Sequence, residues 1–407
     1  MKFKHLLLVL PLLSLPGCPE GCKPEHDYFK TTEIKNVTAV SAICNVTLSV
    51  PATETVSEKG VCWSTSRNPT IEENDNTCEG RGAIDYYSII GGLEENTTYY
   101  VRAYITTNLD TYYGSERSFT TPNLPQGAVK GAFSISETEQ VLFSKGNLQY
   151  QASTDTWRFA EHQYDFVGDE IKGNVMENGV KCDNSLIAPD YDGWIDLFGW
   201  GTSGWNNGNS FYHPYDYYKD SIDGNHGFGY GPTDGFSYLF NLDGDYAESD
   251  WGYNAISNGG NQTRQWRTLN KDEWYYLMSK RPNASNKKTS ATVNGVYGAI
   301  ILPDYWVCPE NITFNTGYNY QNNTFTEAQW QELEEAGAVF LPSAGIRSEK
   351  RVSGISGSLI SGYYWLSNCK NEESTWFFNV FSSGPGHSVN TQYRSSGLSV
   401  RVVKANN

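Results

Sequence analysis

The sequence predicts a small all-β sandwich followed by a larger α+β domain with long loops. Three observations carry that expectation. Residues 31–121 alternate apolar and polar side chains in short runs separated by turn clusters, the period of half-buried strands. Beyond residue 130, strand-like runs are interrupted by two segments with apolar residues at helical spacing. From Asp190 to Gly260 the chain is rich in Gly, Asp, Asn and aromatic residues and has little periodicity. A stretch of that kind inside a compact domain is functional or disordered. Its aromatic content argues for ordered, surface-covering loops. With 28 Tyr, 12 Trp and 39 Gly, composition also favours β-rich structure over helical bundles.

At the amino terminus Lys2 and Lys4 precede an apolar run, Leu6 to Leu13, broken by Pro11. Spanning a bilayer takes about 20 apolar residues, so this run has the length of a secretory signal instead. Leu15-Pro16-Gly17-Cys18 resembles a lipobox, with Pro16 where Ala, Ser or Thr is usual. The resemblance implies that residues 1–17 are a lipoprotein signal peptide and that Cys18 carries the lipid. The expected product is an outer-membrane lipoprotein exposed at the cell surface, each buried acyl methylene adding about 0.8 kcal/mol of membrane affinity. Residues 18–30, with Pro19, Gly21 and Pro24, read as a tether.

Residues 31–121 carry the sandwich. Val46, Leu48 and Val50 alternate with polar residues, Gly60-Val61-Cys62-Trp63-Ser64 reads as a strand, and Tyr99 to Ile105 is the clearest strand. Leu93, Thr97, Tyr99, Val101 and Ala103 fit L-x-P-x-T-x-Y-x-V-x-A, with Glu95 in the proline position. In this the segment resembles fibronectin type III domains, whose tyrosine closes a corner by bonding to nearby backbone. Gly60 to Ser66 followed by Asn68-Pro69-Thr70-Ile71 is similar to modules of Bacteroidetes surface proteins. Such modules act as spacers or adhesion units. Pro122 and Pro125 stiffen a linker over 122–129.

The larger domain spans 130–405. Its strand-like runs are Ala132–Ile135, Val141–Phe143, Trp157–Ala160, Tyr297–Leu302 and Ala338–Leu341, with a closing meander over 362–365, 375–381 and 398–403. Asn270-Lys271-Asp272-Glu273 matches a capping box, and Trp274, Leu277 and Met278 follow on one helical face before Pro282. Thr326-Glu327-Ala328-Gln329 repeats the pattern, with Trp330, Leu333 and Ala336 as the stripe and Gly337 as the stop. Both helices read as structural.

Three ordered motifs in this domain carry a second resemblance: Gln265 to Trp274, Phe340 to Arg347, and Gly362-Tyr363-Tyr364-Trp365-Leu366-Ser367 with Gly397 to Val403. They are similar to the W-R-L-P-T-x-x-E-W, L-P-A-x-G-x-R and G-x-Y-W-S-S … G-x-S-V-R-x-V segments of formylglycine-generating-enzyme-like and Fibrobacter succinogenes major paralogous domains. The resemblance implies a C-type-lectin-like fold. The last 45 residues also look like the variable regions of retroelement-diversified proteins, which share the closing frame. Between the frame motifs, Asn368–Ser374 and Ser382–Ser396 read as loops in the Ser, Asn, Tyr and Gly palette of adaptable binding surfaces. The candidate binding residues there are Ser367, Asn368, Asn371, Asn379 and Phe381, then Ser383, His387, Asn390, Gln392 and Tyr393.

These features point to a non-catalytic, surface-displayed binding or adhesion lipoprotein, with a protein or glycan as its extracellular partner. A net charge of -16 argues against nucleic acid. No cofactor or metal is called for. Formylglycine-generating enzymes use a cysteine pair in the C-terminal part of the domain, and only Cys369 stands there, with His387 as a conceivable base. An oxidase of that type is the alternative, as is a structural subunit of a surface fibre. The tripeptides of calcium-dependent lectins do not occur, and Asp243, Asp245, Glu248 and Asp250 do not match a calcium loop. Seven cysteines remain beside Cys18, and Cys62 with Cys78 is a conceivable disulfide.

Overall fold

The computed structural model describes residues 28–205, 213–215, 241–316, 322–356, 360–371, 374–381 and 388–405. It is mostly β-sheet. The chain forms two compact units. The first comprises the described residues 28–33, 44–88 and 98–119, and the second comprises 34–43, 89–97 and those from 120 onward.

The amino-terminal part is built from β1 (Phe29–Lys35), β2 (Ser41–Leu48), β3 (Val56–Ser64) and β4 (Asp75–Asn76). It continues with β5 (Tyr86–Gly91), β6 (Thr98–Thr107), β7 (Thr111–Tyr113) and β8 (Arg117–Thr120). One sheet has the order β1-β2-β5; the other runs β4-β3-β6-β7, with β8 also on β6. Val61 lies opposite Ala103 and Trp63 opposite Val101, so the alternation read from the sequence sets the register. The Tyr86 hydroxyl donates across to the Gly60 carbonyl at 2.6 Å, and the Tyr28 and Tyr112 rings meet edge to face. The two sheets therefore face each other as a sandwich. Tyr99 is buried and stacks on Phe119. The sandwich is not cross-linked: Cys62 is buried, donates from its thiol to the Pro69 carbonyl at 3.3 Å and is free, as is exposed Cys78. The conceivable Cys62–Cys78 disulfide is thus not formed: Cys62 is buried within β3, whereas Cys78 lies beyond the end of β4 and is exposed.

From residue 120 onward the second unit runs through β9 (Ala128–Ser134), β10 (Gln140–Ser144), β11 (Leu148–Gln151) and β12 (Thr156–Phe159). Short strands follow: β13 (Met176–Glu177), β14 (Val180–Lys181), β15 (Trp194–Ile195) and β16 (Arg267–Thr268). Helix α1 (Lys271–Tyr275) leads to β17 (Lys288–Val293), β18 (Val296–Ile301) and β19 (Thr324–Phe325). After α2 (Glu327–Glu335) come β20 (Val339–Pro342), β21 (Ile346–Ser348) and β22 (Arg351–Ser353). The chain closes with β23 (Ser361–Cys369), β24 (Ser374–Phe381), β25 (Ser388–Tyr393) and β26 (Val402–Ala405). The principal sheets are β16-β26-β10-β9, β19-β17-β18-β20 and β23-β24-β25.

Both capping boxes form. Asn270 accepts from the Asp272 and Glu273 amides, and Glu273 returns to the Asn270 amide. Thr326 and Gln329 exchange the same pair of bonds. Past α1 the chain widens into one π-turn, closed by the Arg281 amide on the Tyr276 carbonyl, before Pro282 ends it. Gly337 stops α2 at a φ of +91°, and a β-carbon there would lie 2.6 Å from the Lys130 carbonyl oxygen.

Two packed clusters lie against the β23-β24-β25 sheet. Phe133, Phe143, Trp274, Leu277, Leu341 and Phe378 fill one; Trp157, Phe198, Trp200, Trp251, Trp365 and Phe377 fill the other. The described flanks of the glycine- and aromatic-rich stretch therefore differ from the surface loops expected. Trp194, Phe198, Trp200 and Trp251 are buried, because these rings remove more apolar area from water than any nearby strand residue.

Candidate binding surface

The closing sheet positions most of the candidate residues. β24 is its central strand, pairing with β23 through Tyr364↔Phe378 and with β25 through Trp376↔Thr391 and Ser374↔Tyr393. The segment 382–396, read from sequence as one loop, thus contains a strand. Ser388 to Tyr393 lacks a run of strongly β-forming residues, and it is held extended by six consecutive partners on β24.

Of the candidate residues, Asn371, Asn390 and Tyr393 are exposed, while Asn368 and Gln392 are half-buried. The Asn390 and Gln392 side chains each accept from the next backbone amide, at 2.8 and 3.0 Å. Ser367 and Asn379 are buried and turned to internal work. Backbone bonds tie Ser367 to Leu269 and Leu242. The Asn379 side-chain oxygen accepts from the Ser388 amide at 2.8 Å and hydroxyl at 3.1 Å, which fixes where β25 begins. Asn368 accepts from the Lys271 amide, and the Asn371 side chain accepts from the Ser374 amide at 2.7 Å. Phe381 ends β24. Cys18, Ser383 and His387 lie outside the described residues.

A brace behind the sheet was not legible in the sequence. Arg394 is buried, stacks on Trp200 with its guanidinium 4.7 Å from the ring centroid, and donates to the Asn371 carbonyl and the Cys369 sulfur, each at 2.6 Å. Burial raises the Cys369 thiol pKa, with the Arg394 charge opposing it. A lone arginine in a polar Tyr-Arg-Ser-Ser run carries no spacing signal that would have singled it out. The motif residues are likewise spent on scaffold. Arg347 donates to the carbonyls of Leu197 and Glu349, the Trp365 indole to the Phe198 carbonyl at 2.6 Å, and Arg401 to Asn147 and Gln163. Burial pulls both Arg347 and Arg401 down to about 10.

Asp243, Asp245, Glu248 and Asp250 line a cleft of about 470 Å³. Asp250 is buried and accepts from the amides of Gly252 and Thr268 and the Thr268 hydroxyl, at 2.8 to 3.0 Å. Glu248 accepts from the Tyr253 hydroxyl. Among the described residues no group of three carboxylate, histidine or cysteine side chains is placed to hold a metal ion.

No protein-family model matches the chain, and no curated protein matches it. Similar solved structures include a fibronectin type III domain of human collagen XX, at 18% identity and a TM-score of 0.20, covering 25% of this chain and 99% of that one. The sixth such domain of human fibronectin type III domain containing protein 3 is 19% identical with a TM-score of 0.19, covering 25% of this chain and 90% of that one. A third, from the human KIAA0343 protein, is 16% identical with a TM-score of 0.19, covering 26% and 94% respectively. The sandwich assignment itself rests on the strand order and cross-sheet contacts above.

Proposed function

We propose that this chain is a non-catalytic, surface-displayed binding lipoprotein that recognises an extracellular protein or glycan through the closing sheet of a C-type-lectin-like domain. The observation that carries the reading is β25: Ser388, Asn390 and Tyr393 are exposed, the first two on one face of the strand and Tyr393 on the other, beside a β24 that packs into two aromatic clusters. A rigid frame behind polar and tyrosine side chains gives contact area at small entropic cost. The three motifs that resemble formylglycine-generating-enzyme-like domains support the fold, and the lipobox-like Leu15 to Cys18 supports the anchor. No described helix is long and apolar enough to cross a membrane.

The Cys369 environment favours binding over thiol oxidation. A reactive thiol needs a lowered pKa, and burial acts on Cys369 in the other direction. Cys308 is engaged elsewhere, with the Ile312 carbonyl.

The test is capture of partners by cells displaying the intact chain. An Asn390→Ala/Tyr393→Ala variant should be displayed at the same level and lose capture at least tenfold; unchanged capture would overturn the reading. Robust copper-dependent oxidation of a thiol peptide would replace it with the enzyme. For the anchor, metabolic labelling with a clickable fatty acid should mark the chain and leave Cys18→Ser unlabelled.

A further inference from the structure

Lys271 opens α1, Lys370 follows β23, and Trp376 and Thr391 face each other across β24 and β25. Three separate parts of the chain thus bring two ammonium groups to one indole. The Lys271 Nζ lies 5.0 Å from the Trp376 ring centroid and the Lys370 Nζ 5.3 Å from it. The two cations are therefore within about 10 Å of each other, inside one Debye length at moderate salt, and repel. Lys370 also donates to the Thr391 hydroxyl at 3.3 Å. Among the described residues neither ammonium has a carboxylate at ion-pair distance, although the chain has a net charge of -16. Several other cations of the same unit do meet a carboxylate: Arg267 meets Glu273, Arg281 and Lys287 meet Asp304, and Lys130 meets Glu94, while buried Arg347 and Arg401 donate to carbonyl and amide oxygens. The nearest acids in α1 do not serve here, since Glu273 is held by both guanidinium nitrogens of Arg267 and Asp272 is exposed.

Strand alternation places Tyr393 on the same face as Trp376 and Thr391, two residues further along β25 and 59% exposed. An open phenol ring beside two unanswered cations and a hydroxyl is suited to a sugar that carries a negative charge. The ring takes the apolar face of the sugar, and the ammonium groups take its anion.

Resting on the binding role proposed above, we infer that Lys271, Lys370, Thr391 and Tyr393 form an anion subsite that selects an acidic polysaccharide. The carboxylate or sulfate of a saccharide unit pairs with these ammonium groups, which the Trp376 indole holds in place.

The experiment measures binding of the full chain to immobilised alginate, dextran sulfate, neutral dextran and polyglutamate. Binding to alginate or dextran sulfate and not to dextran is expected, weakening as salt rises; which of the two binds identifies the anion. Lys271→Ala/Lys370→Ala should weaken binding at least tenfold with an unchanged urea midpoint, and Lys271→Arg/Lys370→Arg should restore most of it. Tyr393→Ala should weaken saccharide binding alone. Wild-type binding by the double alanine variant, absence of binding to both acidic saccharides, or equal binding to polyglutamate would overturn the subsite. The partner-capture experiment on Asn390→Ala/Tyr393→Ala separates the two ideas. Loss there with no effect of the lysine changes sinks only the subsite, and no effect in either sinks the binding role itself.

Discussion

Asp196 and Asp250 show how burial at single residues couples this fold to pH. Both are buried, and burial pushes each carboxyl up to about 6, against the amide and hydroxyl donors that favour its charged form. Asp196 accepts from the Val167 amide and the Asn184 side chain, each at 2.9 Å. An unfolded aspartate titrates near 3.8, so between about pH 4 and 6 the folded chain holds protons the unfolded chain has released. Stability then falls as pH rises through that window and levels off above it, by on the order of 2–3 kcal/mol per residue. Burial raises Asp165 and Glu334 in the same sense. Denaturant midpoints taken from pH 4 to 7 should decline, and Asp196→Asn should flatten the decline whatever its effect on the absolute midpoint. None of this could be read from sequence, where one aspartate among 46 acidic residues looks like any other. Residue chemistry was legible only where a local pattern announced it. Asn390 and Tyr393 came from palette and position, and are exposed. Ser367 and Asn379 came from the same reasoning, and inward pointing removed them from the surface.

Among the elements, helix boundaries were the most legible, because capping is a local bargain between residues three apart. Asn270 and Glu273, and Thr326 and Gln329, satisfy each other's backbone partners without help from the rest of the chain. Asn270→Ala should cost about 1–2 kcal/mol in a urea titration. The upper end is expected, since Glu273 also holds Arg267 at 2.6 and 2.9 Å. Thr326→Ala should cost about 1 kcal/mol or less, its box being exposed. Gly337→Ala should cost more than either, because it combines a positive φ with contact on the Lys130 carbonyl. Strands rich in Val, Ile, Phe and Tyr were legible too, as in β6, β18 and β24. β25 was not: Val389, Thr391 and Tyr393 do alternate with polar residues, but over six residues inside a Ser-, Asn- and Gly-rich stretch that signal is weak, and the pairing with β24 is what holds the strand extended.

For the whole molecule, the β-rich character and the amino-terminal sandwich were legible from short alternating runs between turn clusters. The compact units divide the chain differently, with segments 34–43 and 89–97 packing in the second unit. Such long-range membership depends on contacts such as Ala39 and Val40 with Ala132 and Leu142, which no window of sequence contains. Covalent cross-links contribute nothing to the described part, since Cys44, Cys62, Cys78, Cys182, Cys308 and Cys369 are all free. Thermal unfolding of the chain should therefore shift by less than about 2 °C on adding a thiol reductant, whereas loss of a disulfide typically costs 2–5 kcal/mol. A larger drop would mean that covalent bridges do hold it.

The hydrogen bonds from Ser388 to the buried Asn379 side chain have one more consequence. They anchor the start of β25 by a residue the solvent does not touch, while the strand's own main chain sets the rest of its alignment. Asn390, whose side chain accepts only from the next amide of its own strand, can be exchanged without touching that anchor, whereas exchange of Ser388 removes the hydroxyl half of it. The strand therefore tolerates change at its middle far better than at its start, as long as Asn379 stays put.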